Sequence, residues 1–421
     1  MNLRKLLMMM VTLLLIGAVF AGMVSALETE QKPTVATLQN VRDFAPAYEI
    51  DGVNYAIDAG ELFAGMPGAW RSVATPEGVI VNAVAVSRQD GTLYIGAANE
   101  LVIYRSADNG ESWVRIPLDT NAIGGVTDIA VDGSNRLVFV GTDTDGLHRL
   151  RDVGASMIEG GQLVLDEPVL EVVAASDGSG MALVRTMWNL YRAEDFGLRW
   201  VAVENLPSPA TAVAIAETSP ATVYVGTASS GMRMSQDGIN WQAANNGLNY
   251  APGSQLFIDD VAVDAAQPQV VYVSSSLSVG GTSLHTTPLG VSMSTDNAQI
   301  WQPLERVENV AVTDLMPLSG RTGAVYALTE ASRTPLALGE APAVELASVN
   351  VQTAEGVEAP LAPVVAAEEG LDILSILAWV LAGLAAVGLI AILWLDLARR
   401  RSTQPETGVL AAQPIRNGKD S

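Results

Sequence analysis

The chain has 421 residues, enough for one large domain or a few ordinary ones, and no Cys. That excludes disulfides, thiolate nucleophiles, Cys-held metals and a lipidated Cys anchor. A net charge of −23 argues against a nucleic-acid partner, and the two His, His148 and His285, share no metal-ligand spacing.

Residues 1–26 hold Arg4 and Lys5, an apolar run from Leu6, and the small residues Val24-Ser25-Ala26. This is the layout of a secretory signal peptide, with cleavage expected after Ala26; an uncleaved N-terminal anchor is the alternative. Residues 27–49 read as an N-terminal extension. Between 27 and 372 there are 43 acidic residues against 16 Arg and Lys, so the body is strongly acidic.

From 50 to 330 the chain alternates short apolar segments with turn residues, the pattern of half-buried strands. One segment recurs as LYIGAA (93–98), VFVGTD (138–143), ALVRTM (182–187), VYVGTA (223–228), VYVSSS (271–276) and VYALTE (325–330). Their starts lie 45, 44, 41, 48 and 54 residues apart. A second family precedes each one: NAVAVS (82–87), TDIAVD (127–132), EVVAAS (171–176), AVAIAE (212–217), DDVAVD (259–264) and VTDLMP (312–317).

Trp residues give a second ruler. Trp70 to Trp113 is 43 residues, Trp113 to Trp200 is 87, Trp200 to Trp241 is 41, and Trp241 to Trp301 is 60. The last interval contains SLSVGGTSLHTTP (276–288), read as an inserted loop. A period of 40–45 with several strands per unit predicts an all-β propeller, whose blades cover each other's faces and leave short edges. Residues 54–74 read as the later strands of a blade ending at Trp70. They either complete the last blade, giving six blades, or form a blade of their own, giving seven.

A turn motif recurs after the third strand of the unit. SADNGESW carries Ser106, Asp108, Gly110 and Trp113. AEDFGLRW keeps Asp195, Gly197 and Trp200, with Ala193 in place of Ser. SQDGINW keeps Ser235, Asp237, Gly238 and Trp241 in a shorter form; STDNAQIW keeps Ser294, Asp296 and Trp301, with Ala298 for Gly. A short carboxylate can accept turn N–H groups, Gly supplies positive φ, and Trp packs on a neighbour.

These four copies resemble the Asp-box, or bacterial neuraminidase repeat, of an Asp-box propeller. The resemblance implies that the boxes are structural turns facing away from any active site. Arg-Ile-Pro, 115–117, also resembles a sialidase motif whose Arg helps clamp the substrate carboxylate. In sialidases it stands before the first box; here it follows one, so Arg115 reads as an ordinary strand residue. No catalytic, cofactor-binding or metal-binding residue is expected. DTDG, 143–146, reads as a hairpin turn, with Ca²⁺ contact as the alternative.

Residues 331–371 turn to Ala, Pro, Val and Glu and read as an acidic stalk. Within 372–396, the 23 residues from Ile373 to Leu395 carry no charge. At 1.5 Å per residue they reach ~35 Å, enough for a transmembrane helix. Trp379 and Trp394 lie toward its ends, and Arg399-Arg400-Arg401 follow, which assigns 397–421 to the cytoplasm as a tail. The expectation is a single-pass membrane protein with its propeller outside the cytoplasm. It would bind a protein or surface ligand, in the manner implied by its similarity to sortilin-type receptors and to photosystem II stability and assembly factors. A sialidase-like surface glycoside hydrolase is the alternative.

Overall fold

Short apolar segments separated by Gly- and Asp-bearing turns pair with their sequence neighbours, and here they do so seven times over. The computed structural model describes residues 36–341, apart from 51, 67, 155, 249, 251, 252, 280–284, 306, 308 and 309. The described strands form seven antiparallel meanders: blades 1 to 7, at 41–72, 81–117, 126–163, 171–202, 210–243, 255–305 and 312–339. Six have four strands and the seventh has three. The fold is an all-β, seven-bladed propeller. Residues 54–74 therefore belong to a blade of their own.

The second strand of each blade is flanked in its sheet on both sides and covered on both faces by neighbouring blades. It is accordingly a continuous apolar run: Leu93–Ala97, Leu137–Thr142, Thr222–Thr227 and Ala324–Thr329 are buried throughout. The Gly in these runs marks where the next blade enters. A Cβ on Gly96 would stand 2.4 Å from Val126, and one on Gly226 would stand 2.6 Å from Ile258. Backbone approach of this kind admits no side chain.

Seven apolar clusters hold the ring, each shared by consecutive blades. Tyr55, Ile57 and Leu62 of blade 1 meet Leu93, Ile95 and Tyr104 of blade 2. The closing cluster joins Met316, Tyr326 and Leu328 of blade 7 to Leu38, Phe63 and Trp70. Among the described residues no strand is exchanged there. Ser319 Oγ donates to the Ala47 carbonyl, and Arg333 Nε donates to the Val41 carbonyl at 2.8 Å.

The propeller boundaries differ from 50–330. Val41–Ala45 is the first strand of blade 1, inside the expected extension at 27–49, and Ser332–Gly339 is the last strand of blade 7, inside the expected stalk at 331–371. Each holds or adjoins a Pro, Pro46 and Pro335, and each lies at the ring's seam, where Pro and polar residues obscure alternation. The expected inserted loop at 276–288 is also corrected. It lengthens the strands of blade 6, Gln255–Val263, Val271–Val279 and His285–Ser294, into an extended hairpin.

Among the described residues no helix is long and apolar enough to cross a membrane. The expected signal peptide (1–26), membrane span (372–396) and tail (397–421) lie outside the described residues, as does the stalk beyond 341.

Candidate binding face

A four-stranded meander fixes two ends. The links between strands one and two, and three and four, share one end. The link between strands two and three lies at the other, with the exit to the next blade. All four sequence-predicted turns join third and fourth strands, so they share one end of the ring, called here the turn end. The opposite end carries the mouth of the central channel.

The mouth is built by the first strands. Six of them are bulged near their start, between Val41 and Asp43, Val81 and Ala83, Val126 and Asp128, Ala210 and Ala212, Ile258 and Asp260, and Val312 and Asp314. A bulge re-aims the side chains beside it. Here it delivers Asp43, Asp128, Asp259, Asp260 and Asp314 to a space of about 390 Å³ lined from all seven blades. Glu171 joins them from blade 4.

Most of these acids are tied to backbone of the following blade. Asp43 accepts from Val84 N at 2.9 Å, Asp128 from Val172 N at 2.6 Å, Glu171 from Val213 N at 3.3 Å, and Asp260 from Leu315 N at 2.7 Å. Two of the six are ion-paired, Arg185 Nε lying 2.8 Å from Glu171 and Arg333 Nη1 2.6 Å from Asp314, and Arg42 on the same lining opposes the rise of Asp43 through its charge. Burial therefore pushes Asp43 above the usual carboxylate range. Asp128 and Asp260 are held well above it, first by burial and then by charge repulsion from Asp43 and Asp314 respectively. Burial raises Asp259 to about 6 against the hydrogen bond from Ser276 Oγ.

The channel is lined differently at the turn end. Arg88 of blade 2 stacks over the Tyr48 ring, 4.5 Å from its centroid, and donates to the Ala265 carbonyl at 2.7 Å. It also pairs with Glu217 of blade 5. Tyr48 donates to the Val86 carbonyl, and Glu217 accepts from Ser176 N at 2.9 Å. Burial raises the Tyr48 phenol to about 12. This group spans the ring from blade to blade above a channel of about 360 Å³.

The predicted turn residues are spread around the rim of the turn end, one set each in blades 2, 4, 5 and 6. Three sets are built alike. Ser106 Oγ donates to Asp108 at 2.7 Å and accepts from Gly110 N at 2.8 Å, and Asp108 accepts from Ser112 N at 2.9 Å. Ser235 donates to Asp237 at 2.9 Å and accepts from Gly238 N at 2.9 Å; Asp237 accepts from Ile239 N and Asn240 N at 2.8 Å. Ser294 donates to Asp296 at 2.6 Å and accepts from Ala298 N at 3.0 Å. Hydrogen bonds, first from the Ser112 hydroxyl, hold Asp108 down at about 2; Asp237 and Asp296 are lowered for the same kind of reason.

The fourth set departs. With Ala193 in place of Ser, Asp195–Gly197 becomes a short 3-10 turn, and Asp195 reaches only Arg199, at 4.0 Å. Asp195 and Phe196 both take positive φ, at 51° and 58°. The Trp residues pack on the preceding blade. Trp113 Nε1 donates to the Ala74 carbonyl at 2.8 Å and Trp301 Nε1 to the Ala244 carbonyl at 2.7 Å, while Trp200 meets Phe139 edge-on at 5.8 Å. Trp241 packs against the cluster that blade 5 shares with Leu183 and Leu190 of blade 4.

Blade 3, which lacks the motif, uses another device. Its Asp152 stands at the end of the third strand and accepts from Tyr94 Oη and, at 2.7 Å, from Arg105 Nε, both in blade 2. The sequence signal is an Asp where the units of blades 2, 5 and 6 have Ser106, Ser235 and Ser294. Arg115 lies on the outermost strand of blade 2, half exposed and 2.8 Å from Glu100, and is not among the residues that line the mouth. DTDG links the second and third strands of blade 3. His148 beside it is buried, with Nε2 3.0 Å from Asp145 and Nδ1 against Glu159.

The fold and its lined mouth define a seven-bladed β-propeller. No family model matches the chain, and no curated protein does. Among solved structures it is similar to YCF48 bound to D1 peptide, at 15% identity and a TM-score of 0.52, over 72% of this chain and 94% of that one. It is also similar to a GH74 xyloglucanase from Xanthomonas campestris, at 17% identity and a TM-score of 0.51, over 70% of this chain. There it spans about half of the other chain, 51%. At these identities the likeness is one of fold.

Proposed function

We propose that this chain is a membrane-anchored, extracytoplasmic propeller of the Asp-box type that binds a protein or surface ligand at its mouth end. The observation that carries the reading is the contrast between the two ends. At the turn end Asp108, Asp237 and Asp296 are hydrogen-bonded within their own turns, and Arg88 and Glu217 are paired with each other. At the mouth end, six carboxylates stand in a lined opening against three Arg, Arg42, Arg185 and Arg333, an acidic excess suited to receiving a positively charged group.

The Asp-box assignment rests on the shared hydrogen-bond pattern of Ser106/Asp108, Ser235/Asp237 and Ser294/Asp296, and it gives these residues a structural role. The anchoring part of this reading is drawn from the 23 uncharged residues that precede Asp396 and Arg399, and its orientation, propeller outside and tail inside, from the positive-inside rule. That a propeller of similar fold holds a peptide is support at the level of fold. Assembly of a membrane complex is one setting for such a module.

Crosslinking in the native membrane followed by pull-down tests this. A recurrent protein partner crosslinked to mouth-end residues supports it; crosslinks confined to the turn end overturn it. A panel of fluorogenic glycosides on the same preparation tests the glycosidase alternative. Turnover lost in Arg115→Ala would favour that alternative.

A further inference from the structure

Trp188 is off the Trp ruler. Every other Trp between 70 and 301 falls at the start of a fourth strand or just before one, and packs on neighbouring chain. Trp188 instead sits in the link between the second and third strands of blade 4, at the mouth end, and is 70% exposed. Burying an indole is favourable, so an exposed one in a well-packed ring has a use elsewhere.

It is not isolated. Met187 beside it is 60% exposed, Val164 on the link from blade 3 is 70% exposed, and Ile123 on the link into blade 3 is 90% exposed. These links are fastened to one another. Asn189 Nδ2 donates to Glu167 at 2.7 Å, Val169 N to the Thr142 carbonyl at 3.0 Å, and Gly125 N to Asp143 at 2.8 Å. The apolar side chains are thus presented on a braced surface over blades 3 and 4.

The field around them is negative. Asp119, Asp143, Asp166 and Glu167 lie on the same links, and the cation Arg185 is already paired with Glu171. Such a surface repels anionic lipid and nucleic acid, and a neutral glycan would gain nothing from the charge.

We infer that this rim docks a polypeptide segment in which Lys or Arg alternates with bulky apolar side chains. The apolar groups cover Trp188, Met187, Val164 and Ile123, and the cations face the surrounding carboxylates. The inference rests on the binding reading above and names the surface and the class of partner.

The test uses the full-length chain in neutral-detergent micelles, with empty micelles as the blank. The probe is a fluorescein-labelled peptide of alternating Lys and Leu; peptides of Lys and Ser, and of Glu and Leu, are the comparisons. Anisotropy is expected to show the Lys/Leu peptide binding about tenfold more tightly than either comparison, with a shift in Trp emission. Trp188→Ala should weaken it about tenfold and Trp188→Phe should largely restore it. Leu198→Ser, at a residue also well exposed but at the turn end, should leave it unchanged. Equal binding by Trp188→Ala, or Trp188-dependent binding of a neutral β-glucan oligosaccharide in its place, overturns the inference. A native partner still crosslinked to the mouth end in Trp188→Ala would sink this rim while leaving the binding reading intact. Loss of any mouth-end partner from the wild type would sink both.

Discussion

The two ends of the ring are made from the same strands and treat charge in opposite ways. At the turn end, Asp108, Asp237 and Asp296 are surface carboxylates held below their usual range by hydroxyl and backbone donors. Arg88 and Glu217 meet across the channel as a pair. At the mouth end, Asp43, Asp128, Asp259 and Asp260 are raised by burial. The lesson is that hydrogen bonding and neutralisation are separate matters. Asp128 receives two backbone donors, from Val172 and Ile129, and its carboxyl is still held well above the usual range by burial and by the neighbouring Asp43.

That contrast can be broken most forcefully at the brace. Arg88→Ala leaves Glu217 in the channel without its cation and should cost about 2–4 kcal/mol in a urea unfolding titration. Asp108→Ala should lower the thermal midpoint by about 2–4 °C, with mouth-end binding intact. Lost binding at unchanged stability would overturn the structural role of that turn. Asp259→Asn should act in the other direction, raising stability at pH 7 by about 1 kcal/mol and leaving it unchanged near pH 4. The smallest effect belongs to the departed turn: Asp195→Asn should change stability by less than about 0.5 kcal/mol.

The pH profile sharpens the same comparison. An Asp whose folded pKa lies above its unfolded value of about 3.9 keeps its proton longer when folded. Stability from Asp259 therefore falls as pH rises from about 4 through about 6. Asp108 has the opposite sign. Its contribution is present above about 4 and is lost as pH falls through about 2. Asp108→Ala should flatten the acid limb alone, and Asp259→Asn should flatten part of the neutral limb alone, as read by thermal midpoint against pH.

Much of this architecture is legible in the bare sequence, because a blade's second strand must be apolar on both faces. Runs such as VYVGTA and VFVGTD announce themselves, and Trp at fourth-strand starts gives the period. The seam is harder to read. RDFAP and SRTPLALG are strands by virtue of their neighbours, and neither alternates cleanly. The mouth is hidden for a different reason. TDIAVD and DDVAVD read as ordinary strands with polar residues at one end, and only the bulge shows that those acids face the channel. Asp195 misleads the other way: it matches the motif by spacing, yet the hydroxyl that would organise its turn is Ala193.

The seam has a mechanical consequence. The described chain enters the ring near Ala36 and leaves it near Ala341, and both residues pack at the interface of blades 7 and 1. Because no described strand is shared there, a pull transmitted through the C-terminal side bears first on the three described strands of blade 7. It is resisted by side-chain packing, the Ser319 bond and the Arg333 fork. The other six interfaces are each crossed by continuous backbone. Under tension the ring would therefore open like a clasp, at one known place, with the other six blades still stacked.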